Sequence, residues 1–360
     1  MGLFEIALLL SGGAYLTALV WLNLGLRRRQ PPTGTEGFQV AVVVAARNEE
    51  ASIGACLDAL RGQDYRGPWE VVVVDDRSAD RTAQRVAEHA WPALRLVRAP
   101  VAAPGRCPKK NALAAGIAHT RAPLLLFTDA DCQPAPDWVR TTVGVFGPEV
   151  GMAIGHAFPV GCASWQQRLL ALDNLAVGAL GAGSTGMGYP LSCTGRNLAY
   201  RREVYEQVGG FAAISHLIGG DDVYLMRLVS RTPWKIVANP AMVAGDAGPA
   251  TWRAAVQQKL RHAAKAGHYR GPALWLGGVI YLYHLLLGVG LIRLALGLPS
   301  ALFLAVWACR WLADLALLWR YASRPAQRSL LWLLPIFEVV YIPYVLFFTL
   351  AGRAGWFRWK

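Results

Sequence analysis

The sequence predicts an α/β fold, a mostly parallel sheet with helices on both faces. It adds one N-terminal and about three C-terminal membrane helices, together with interfacial amphipathic helices. Three observations predict this. Between residues 39 and 128, short β-branched or apolar runs alternate with segments whose apolar residues recur at helical spacing, the pattern of βαβ units. Four long apolar runs flank that region, each near the roughly 20 residues needed to cross hydrocarbon. A basic amphipathic stretch, Trp252–Tyr269, leads into the second run, and such a helix lies in the headgroup plane.

The first apolar run, 3–26, is broken by Glu5 and a few small or polar residues and is followed by Arg27, Arg28 and Arg29. It lacks a basic n-region and exceeds the length of a secretory h-region, so it reads as an anchor. The arginines hold the adjoining domain in the cytoplasm by the positive-inside rule. A Pro/Gly/Thr linker spans 30–37. Gln39–Ala46 is the first strand, ending in Arg47-Asn48-Glu49-Glu50, and Ser52–Leu60 is a helix with Ile53, Leu57 and Leu60 on one face. Trp69–Val74 is a second strand, ending in Asp75-Asp76-Arg77-Ser78, followed by a helix from Asp80 to His89. Leu94–Arg98 is a third strand, Lys109–His119 a helix, and 124–128 a fourth strand. No G-x-G-x-x-G comes after the first strand, which disfavours a dinucleotide-binding domain.

After residue 150 the chain is rich in Gly, Ala and aromatics. Ser164–Gly181 has helical spacing, and Gly219–Arg227 sets an acidic pair at the start of a helical pattern. The remaining apolar runs are 273–297, 300–319 and 330–350. Lys259, Arg261, Lys265 and Arg270 precede the first of these, and Arg320, Arg324 and Arg328 come after the second, consistent with the same orientation. The last run carries Pro335, Glu338 and Pro343 and ends in Arg353, Arg358 and Lys360. That pattern predicts a bent or re-entrant segment that returns the basic tail to the cytoplasm; a full span, which would export that tail, is the alternative. Arg310 and Asp314 stand at i, i+4 and should pair inside the membrane, whereas Glu338 and His284 have no evident partner in the sequence. The implied organisation is an anchor over 1–29, a cytoplasmic domain over 38–250, an interfacial helix over 251–271, membrane helices over 272–352 and a basic tail over 353–360. A bacterial inner (plasma) membrane is the expected location.

Lys and Arg number 36 against 23 Asp and Glu, a net charge of +13. Much of that charge borders the apolar runs, where anionic headgroups attract it, and no nucleic-acid-binding motif accompanies it. The partner it implies is a bilayer, not nucleic acid. The six cysteines show no C-x-x-C spacing and read as free thiols in a reducing compartment.

The most informative stretch is Thr128-Asp129-Ala130-Asp131, at the end of the fourth strand. Ligands of open α/β sheets bind at the carboxyl ends of the strands. On an extended backbone Asp129 and Asp131 share one side and can face one divalent cation, and a hard cation held by one or two carboxylates presents phosphates to a reaction. A simple turn is the alternative for an isolated D-x-D.

Other motifs occur in order along the chain: Arg-Asn-Glu-Glu (47–50), Asp-Asp-x-Ser-x-Asp-x-Thr (75–82), Lys-Lys-x-Ala-Leu (109–113), Gly-Arg-Asn-Leu-Ala-Tyr (195–200), Gly-Gly-Phe (209–211), Gly-Asp-Asp-x-x-Leu (220–225) and Gln258-x-x-Arg261-His262. Together with Thr128–Asp131 this series resembles the membrane-bound family 2 glycosyltransferases, of glycosyltransferase A-type fold, over roughly residues 38–270. The resemblance implies a nucleotide-sugar donor, with a UDP-sugar the commonest, and Mg2+ or Mn2+ as the metal. It places Asp131 on the metal, Asp129 near the ribose or the metal waters, Asp76 on the uracil N–H, and Ala45, Arg47, Asn48 and Glu49 around the nucleoside. Lys109 is expected to neutralise phosphate. Aligned on Leu225, Asp222 takes the position of the catalytic base and Asp221 the supporting one, an acidic pair whose mutual repulsion raises one pKa; an N-terminal helix cap is the plainer role for Asp222. Gln258 and Arg261, one turn apart, point toward the diphosphate. Gly195, Arg196, Asn197 and His262 fall on the acceptor side. His262 replaces the family's usual Trp, which weakens the case for a processive polymerase.

The expected activity is inverting transfer of one hexose to a lipid or lipid-linked acceptor at the cytoplasmic membrane face, the acceptor entering between the interfacial helices over 164–181 and 252–269. A processive polysaccharide synthase and a non-catalytic membrane scaffold are the alternatives.

Overall fold

A computed structural model of the chain describes residues 2–28, 37–159, 162, 164–217, 219–246, 248, 251–264, 272–354 and 356. In chain order the elements are α1 (Leu3–Arg27), β1 (Val40–Ala46), α2 (Ile53–Arg61), β2 (Trp69–Asp75), α3 (Thr82–Glu88), β3 (Leu94–Arg98), α4 (Pro108–Ala118), β4 (Leu124–Phe127), β5 (Cys132–Pro134), α5 (Trp138–Val143), β6 (Val150–Pro159) and α6 (Trp165–Gly186). Next come β7 (Leu198–Arg201), α7 (Arg202–Gln207), α8 (Val223–Val229), β8 (Lys235–Asp246), α9 (Trp252–Ala264), α10 (Pro272–Ala295), α11 (Ala301–Tyr321), α12 (Pro325–Arg328) and α13 (Leu334–Arg353). Contacts divide the chain into a sheet unit (25–161 and 180–247) and a helical unit (1–24, 162–179 and 248–360). In this division residues 164–179 group with the helical unit.

In the sheet unit eight strands run in the order β3-β2-β1-β4-β7-β6-β8-β5. The β3-β2-β1-β4 half is wholly parallel, β7 and β5 run antiparallel to their neighbours, and β6 and β8 pair in parallel. The β-α-β alternation of 39–128 therefore forms as expected. The later strands escape the sequence reading because their composition hides them. β6 reads Val-Gly-Met-Ala-Ile-Gly-His-Ala-Phe-Pro, and glycine and alanine are depleted in strands. Gly151 is nevertheless required, since a Cβ there would lie 2.6 Å from the Trp234 Cβ.

Strand side chains alternate between two cores. Val40, Val42 and Val44 pack with Ile53, Leu57, Leu60, Val86 and Trp138 on one face. Ala41 and Val43 pack with Ala112, Leu113, Ile117, Val223, Leu225 and Met226 on the other. Residues 40–44 are all 0% exposed, and each fully buried valine of such a run contributes about 1.5–3 kcal/mol. Ala46 pairs with Asp75 in the parallel register and Val43 with Phe127, so the chain leaves β1, β2 and β4 at one edge of the sheet. One polar residue is built into this core. Asn197 is 0% exposed, accepts from Trp138 Nε1 at 2.8 Å and donates to the His156 carbonyl at 2.7 Å.

The helical unit contains helices long and apolar enough to cross a membrane, by length and composition: Leu3–Arg27, Gly277–Ala295, Ala301–Tyr321 and Pro325–Arg353. Leu8, Tyr283, Leu287, Phe303 and Ile342 form their shared core. Arg310, 2% exposed, lies 3.4 Å from Asp314 as the spacing predicted. It also lies 3.8 Å from Glu338, which the sequence left without a partner, and Tyr15 donates to Asp314 at 2.9 Å. His284 bonds the Ile280 carbonyl through Nδ1 at 2.7 Å. The last apolar run begins with α12 and a 3-10 turn over Leu331–Leu333, after which α13 continues through Pro343 as one helix. The expected re-entrant loop is therefore not formed within 334–353, and the break falls before Pro335. Lys259 is a second correction. Expected among the headgroup-facing charges, it forms a buried ion pair with Asp173 of α6. Arg29, Lys265, His268, Arg270, Arg358 and Lys360 lie outside the described residues. Among the described residues no cysteine forms a disulfide.

Replacing Asn197 with Leu should cost about 1–3 kcal/mol for each buried group left unmatched at Trp138 and His156. The expected readout is a lower unfolding midpoint of the purified protein.

Candidate active site

The ends of β1 and β2 carry non-glycine residues in the left-handed region, Asn48 at φ 56° and Arg77 at φ 57°. Such strain persists where neighbours fix it, and here the two turns hold each other. The Asn48 N–H donates to Ser78 Oγ at 3.0 Å and Asn48 Oδ1 accepts from the Ala79 N–H at 2.8 Å. The Glu49 N–H donates to Thr82 Oγ1 at 2.8 Å and the Glu50 N–H to Asp80 Oδ2 at 3.1 Å. Ser78, Asp80 and Thr82 appeared in the sequence only as motif positions; their role in joining the two strand ends needed the fold. Glu49 accepts from Ser52 Oγ at 2.6 Å. Asp76, 4% exposed, pairs with Arg77 at 3.0 Å and lies 3.8 Å from Arg47. Ala45 sits opposite Val74 in the register.

Thr128 leaves β4, and Asp129-Ala130-Asp131 forms a tight turn in which the Cys132 N–H donates to the Asp129 carbonyl at 3.0 Å. The two carboxylates are thus presented by a turn between β4 and β5, not from the extended backbone that the sequence suggested. Asp131 is exposed and Asp129 half-buried. Beneath them the Cys56 thiol, whose pKa burial and then the Asp131 and Asp129 charges push up, donates to the Asp129 carbonyl at 3.7 Å. That thiol is a support and not a nucleophile.

Lys109 opens α4 immediately after Pro108, a residue suited to the first helical turn. Its Nζ stands 2.6 Å from Asp129 Oδ1 and 3.6 Å from Asp221 Oδ2. Burial works against the ammonium, but Asp129 and then Asp221 more than offset it and hold its pKa well above the ordinary lysine value. Its neighbour Lys110 fixes this arrangement. Only 1% exposed, Lys110 donates to the carbonyls of Ile214 and Leu217 at 2.8 and 2.7 Å. The Cys107 N–H donates to the Ser215 carbonyl at 3.1 Å. The start of α4 is thereby fastened to the segment that leads to the acidic pair. The sequence pointed to Lys109 and showed a second lysine beside it, but gave no sign that Lys110 anchors the helix.

Gly219 (φ 70°) and Gly220 (φ 63°) deliver Asp221 and Asp222. A Cβ at Gly220 would lie 2.6 Å from the Tyr224 ring, so the turn needs glycine twice over. Asp222 is the N-cap of α8. One oxygen accepts from the Val223 N–H at 2.7 Å and the other from the Gly195 N–H at 3.1 Å. The capping role is real, and it does not exhaust a carboxylate, which offers about four lone-pair sites. Arg196 is half-buried, with Nε donating to Thr194 Oγ1 at 3.3 Å. Asn197 does not belong to an acceptor surface, because its amide is spent inside the core. Gln258 and Arg261 lie half-buried on α9, in the helical unit. The side chain of His262 lies outside the described residues.

Among the described residues no three His, Cys, Asp or Glu side chains gather into a metal-binding group. Asp131 and Asp129 offer two hard oxygen ligands, a set that suits Mg2+ or Mn2+ when substrate phosphates and water complete the shell.

A mostly parallel sheet covered on both faces, with carboxylates at the ends of β2 and β4 and at the cap of α8, defines a glycosyltransferase A-type domain. Residues 41–209 match the family model described as Glycosyl transferase family 2, so the chain carries a family 2 glycosyltransferase domain. A mannosyltransferase from Pyrobaculum calidifontis, solved in complex with GDP-Man and Mn2+, superposes with a TM-score of 0.58 at 23% identity, covering 95% of this chain and 99% of its own. An N-acetylglucosaminyltransferase of Mesorhizobium japonicum is 28% identical over 245 residues, 65% of this chain and 57% of that protein. A beta-monoglucosyldiacylglycerol synthase of Synechocystis is 38% identical over 111 residues, 30% of this chain and 23% of that protein. The chain spans about half the length of the first of these relatives and less of the second.

For Lys109→Met, which takes the shared counter-charge from Asp129 and Asp221, the unfolding midpoint of the purified protein is expected to fall, by an amount that shrinks as added salt screens the carboxylates. An unchanged midpoint would show that Lys109 does not hold them together.

Proposed function

We propose that the protein is an inverting glycosyltransferase that moves one hexose from a nucleotide-sugar, a UDP-sugar, to a lipid or lipid-linked hydroxyl at the cytoplasmic face of a membrane. The observation that carries this reading is the convergence on Lys109 of the Asp129–Asp131 turn and the Asp221–Asp222 cap. A single site thereby holds groups for a diphosphate and groups for an attacking hydroxyl. The family 2 match and the sugar-transferring relatives support the class. The diacylglycerol product in the name of one relative, together with four apolar helices, supports a lipid acceptor.

In this reading Asp76, Arg47, Asn48 and Glu49 at the ends of β1 and β2 hold the nucleoside. Asp131 and Asp129 hold Mg2+ or Mn2+. Bound there, the cation would supply Lewis acidity toward the diphosphate as charge builds on it. Lys109 brings a second positive charge to the leaving group. Asp222, fixed by the Gly195 and Val223 N–H groups, takes the proton of the acceptor hydroxyl as that oxygen attacks the anomeric carbon from the side opposite the diphosphate. Inversion results from that single in-line displacement. Asp221 supports Asp222 and shares Lys109.

Asp222→Asn should lower kcat by about 100-fold or more, the scale of general-base catalysis, while donor affinity stays within about twofold. Near-normal turnover would remove Asp222 from the base position. Asp131→Asn should weaken metal-dependent binding of a uridine nucleotide in calorimetry and leave metal-free binding unchanged. Mass spectrometry of lipids from cells carrying the intact protein or Asp222→Asn tests the acceptor. A glycolipid one hexose heavier than its precursor is expected only with the intact protein. A polymeric product or an unchanged lipid profile would overturn single transfer to lipid.

A further inference from the structure

A cavity of about 580 Å3 lies within the sheet unit away from the acidic site. Its walls include the first residues of β8, Lys235 to Ala238, and the C-terminal ends of α1 and α6. β8 is parallel to β1 by way of β6, β7 and β4. Its first residues therefore sit at the sheet edge opposite the strand ends that carry Asp76 and Asp129. The volume falls within the range of small-molecule sites.

Three observations indicate what this cavity takes. Thr185, lining it, is 4% exposed, and its Oγ1 has no hydrogen-bond partner. Such an orphan calls for a ligand or water. The neighbouring Ser230 and Thr232 hydroxyls differ, being spent on the Arg227 and Val229 carbonyls at 3.0 and 2.7 Å. Second, two basic residues line the rim, Arg28 and Lys235, the latter also 2.6 Å from Glu149. The carbonyl ends of α1 and α6 would repel a bare anion, and these charges offset them. Third, Leu26, Met187 and Ile236 make much of the remaining wall apolar. The cavity is therefore amphipathic. Gly25 of α1 and Gly186 of α6 cross so closely that a Cβ on Gly186 would strike the Gly25 carbonyl, which fixes two of the walls before anything binds. The rest of α1 is apolar enough to cross a bilayer, so the end of that helix, where the cavity opens, belongs at headgroup depth.

We propose that this cavity binds the phosphodiester headgroup of an anionic glycerophospholipid, with Arg28 on the phosphate, the Thr185 hydroxyl donating to it, and the apolar wall against the glycerol and upper acyl chain. A phosphate group could also reach the site as free inorganic phosphate, and the apolar wall favours the lipid. The site is independent of the sugar chemistry and would tie the junction of α1 and α6 to the membrane surface.

Native mass spectrometry of the full-length protein in detergent, titrated with phosphatidylglycerol, tests this. One retained phosphatidylglycerol is expected, with affinity falling at least tenfold in Arg28→Ala and in Thr185→Val. Thr185→Ser, which keeps the hydroxyl, and Arg27→Ala, an exposed neighbour outside the cavity, should stay within about twofold of wild type. Lipid-free Thr185→Val should unfold at or above the wild-type midpoint, because its hydroxyl has no bond to lose; a lower midpoint would show that the hydroxyl serves the fold and overturn the proposal. Equal retention of phosphatidylcholine, or unchanged affinity in both cavity variants, would overturn it too. Displacement of the lipid by millimolar inorganic phosphate would assign the cavity to the free ion instead.

Discussion

The Lys109 ammonium stands between Asp129 and Asp221, and the geometry of the acidic site depends on it. Two carboxylate-bearing segments approach one another there, the β4–β5 turn and the Gly219–Asp222 turn that caps α8. Without a cation among them their charges would repel. Lys109 is held in turn by its surroundings. Pro108 starts its helix, and Lys110 and Cys107 anchor that helix to the carbonyls of 214–217. A local charge thus sets the distance between the Asp129–Asp131 turn and the Asp221–Asp222 cap, which lie about 90 residues apart in sequence.

The sheet supplies the frame on which this charge acts. Parallel pairing of β1 with β2 and β4 brings three strand ends to one edge, and burial on both faces leaves that edge as the place where polar residues emerge. The left-handed residues Asn48 and Arg77 are the local cost of turning two strands sharply there, offset by the hydrogen bonds that join their loops. Asn197, which looked like a site residue because it stands beside Gly195 and Arg196, instead stabilises the core by bonding Trp138 and His156. Asn197 closes the turn that leads into β7, its N–H donating to the Thr194 carbonyl at 3.2 Å, and that turn directs its amide inward.

The helical unit obeys a different rule. Among its buried charges, Arg310 meets Asp314 and Glu338, and Lys259 meets Asp173. In apolar surroundings a lone charge is costly, so a charged residue inside an apolar run signals a partner on another helix. The i, i+4 pair of Arg310 and Asp314 was visible in sequence because both members lie on one helix. The Arg310–Glu338 and Lys259–Asp173 contacts were not, since helix packing alone brings those residues together.

The sequence by itself determined the alternation of strands and helices over 39–128, the four apolar helices, the acidic strand ends and the family 2 resemblance. Each of these is written in local periodicity or in short motifs, so neighbouring residues suffice to specify it. Only the tertiary structure decided strands β5 to β8: glycine and alanine mask the pattern in β6 and β8, and β5 and β7 are three and four residues long. It also decided that Asp129 and Asp131 lie on a turn, that Lys109 stands between Asp129 and Asp221 while Lys110 anchors its helix, and that Asn197 is buried. Those outcomes depend on which distant residues meet, and a contact between residues 109 and 221 or between 138 and 197 leaves no periodic trace along the chain.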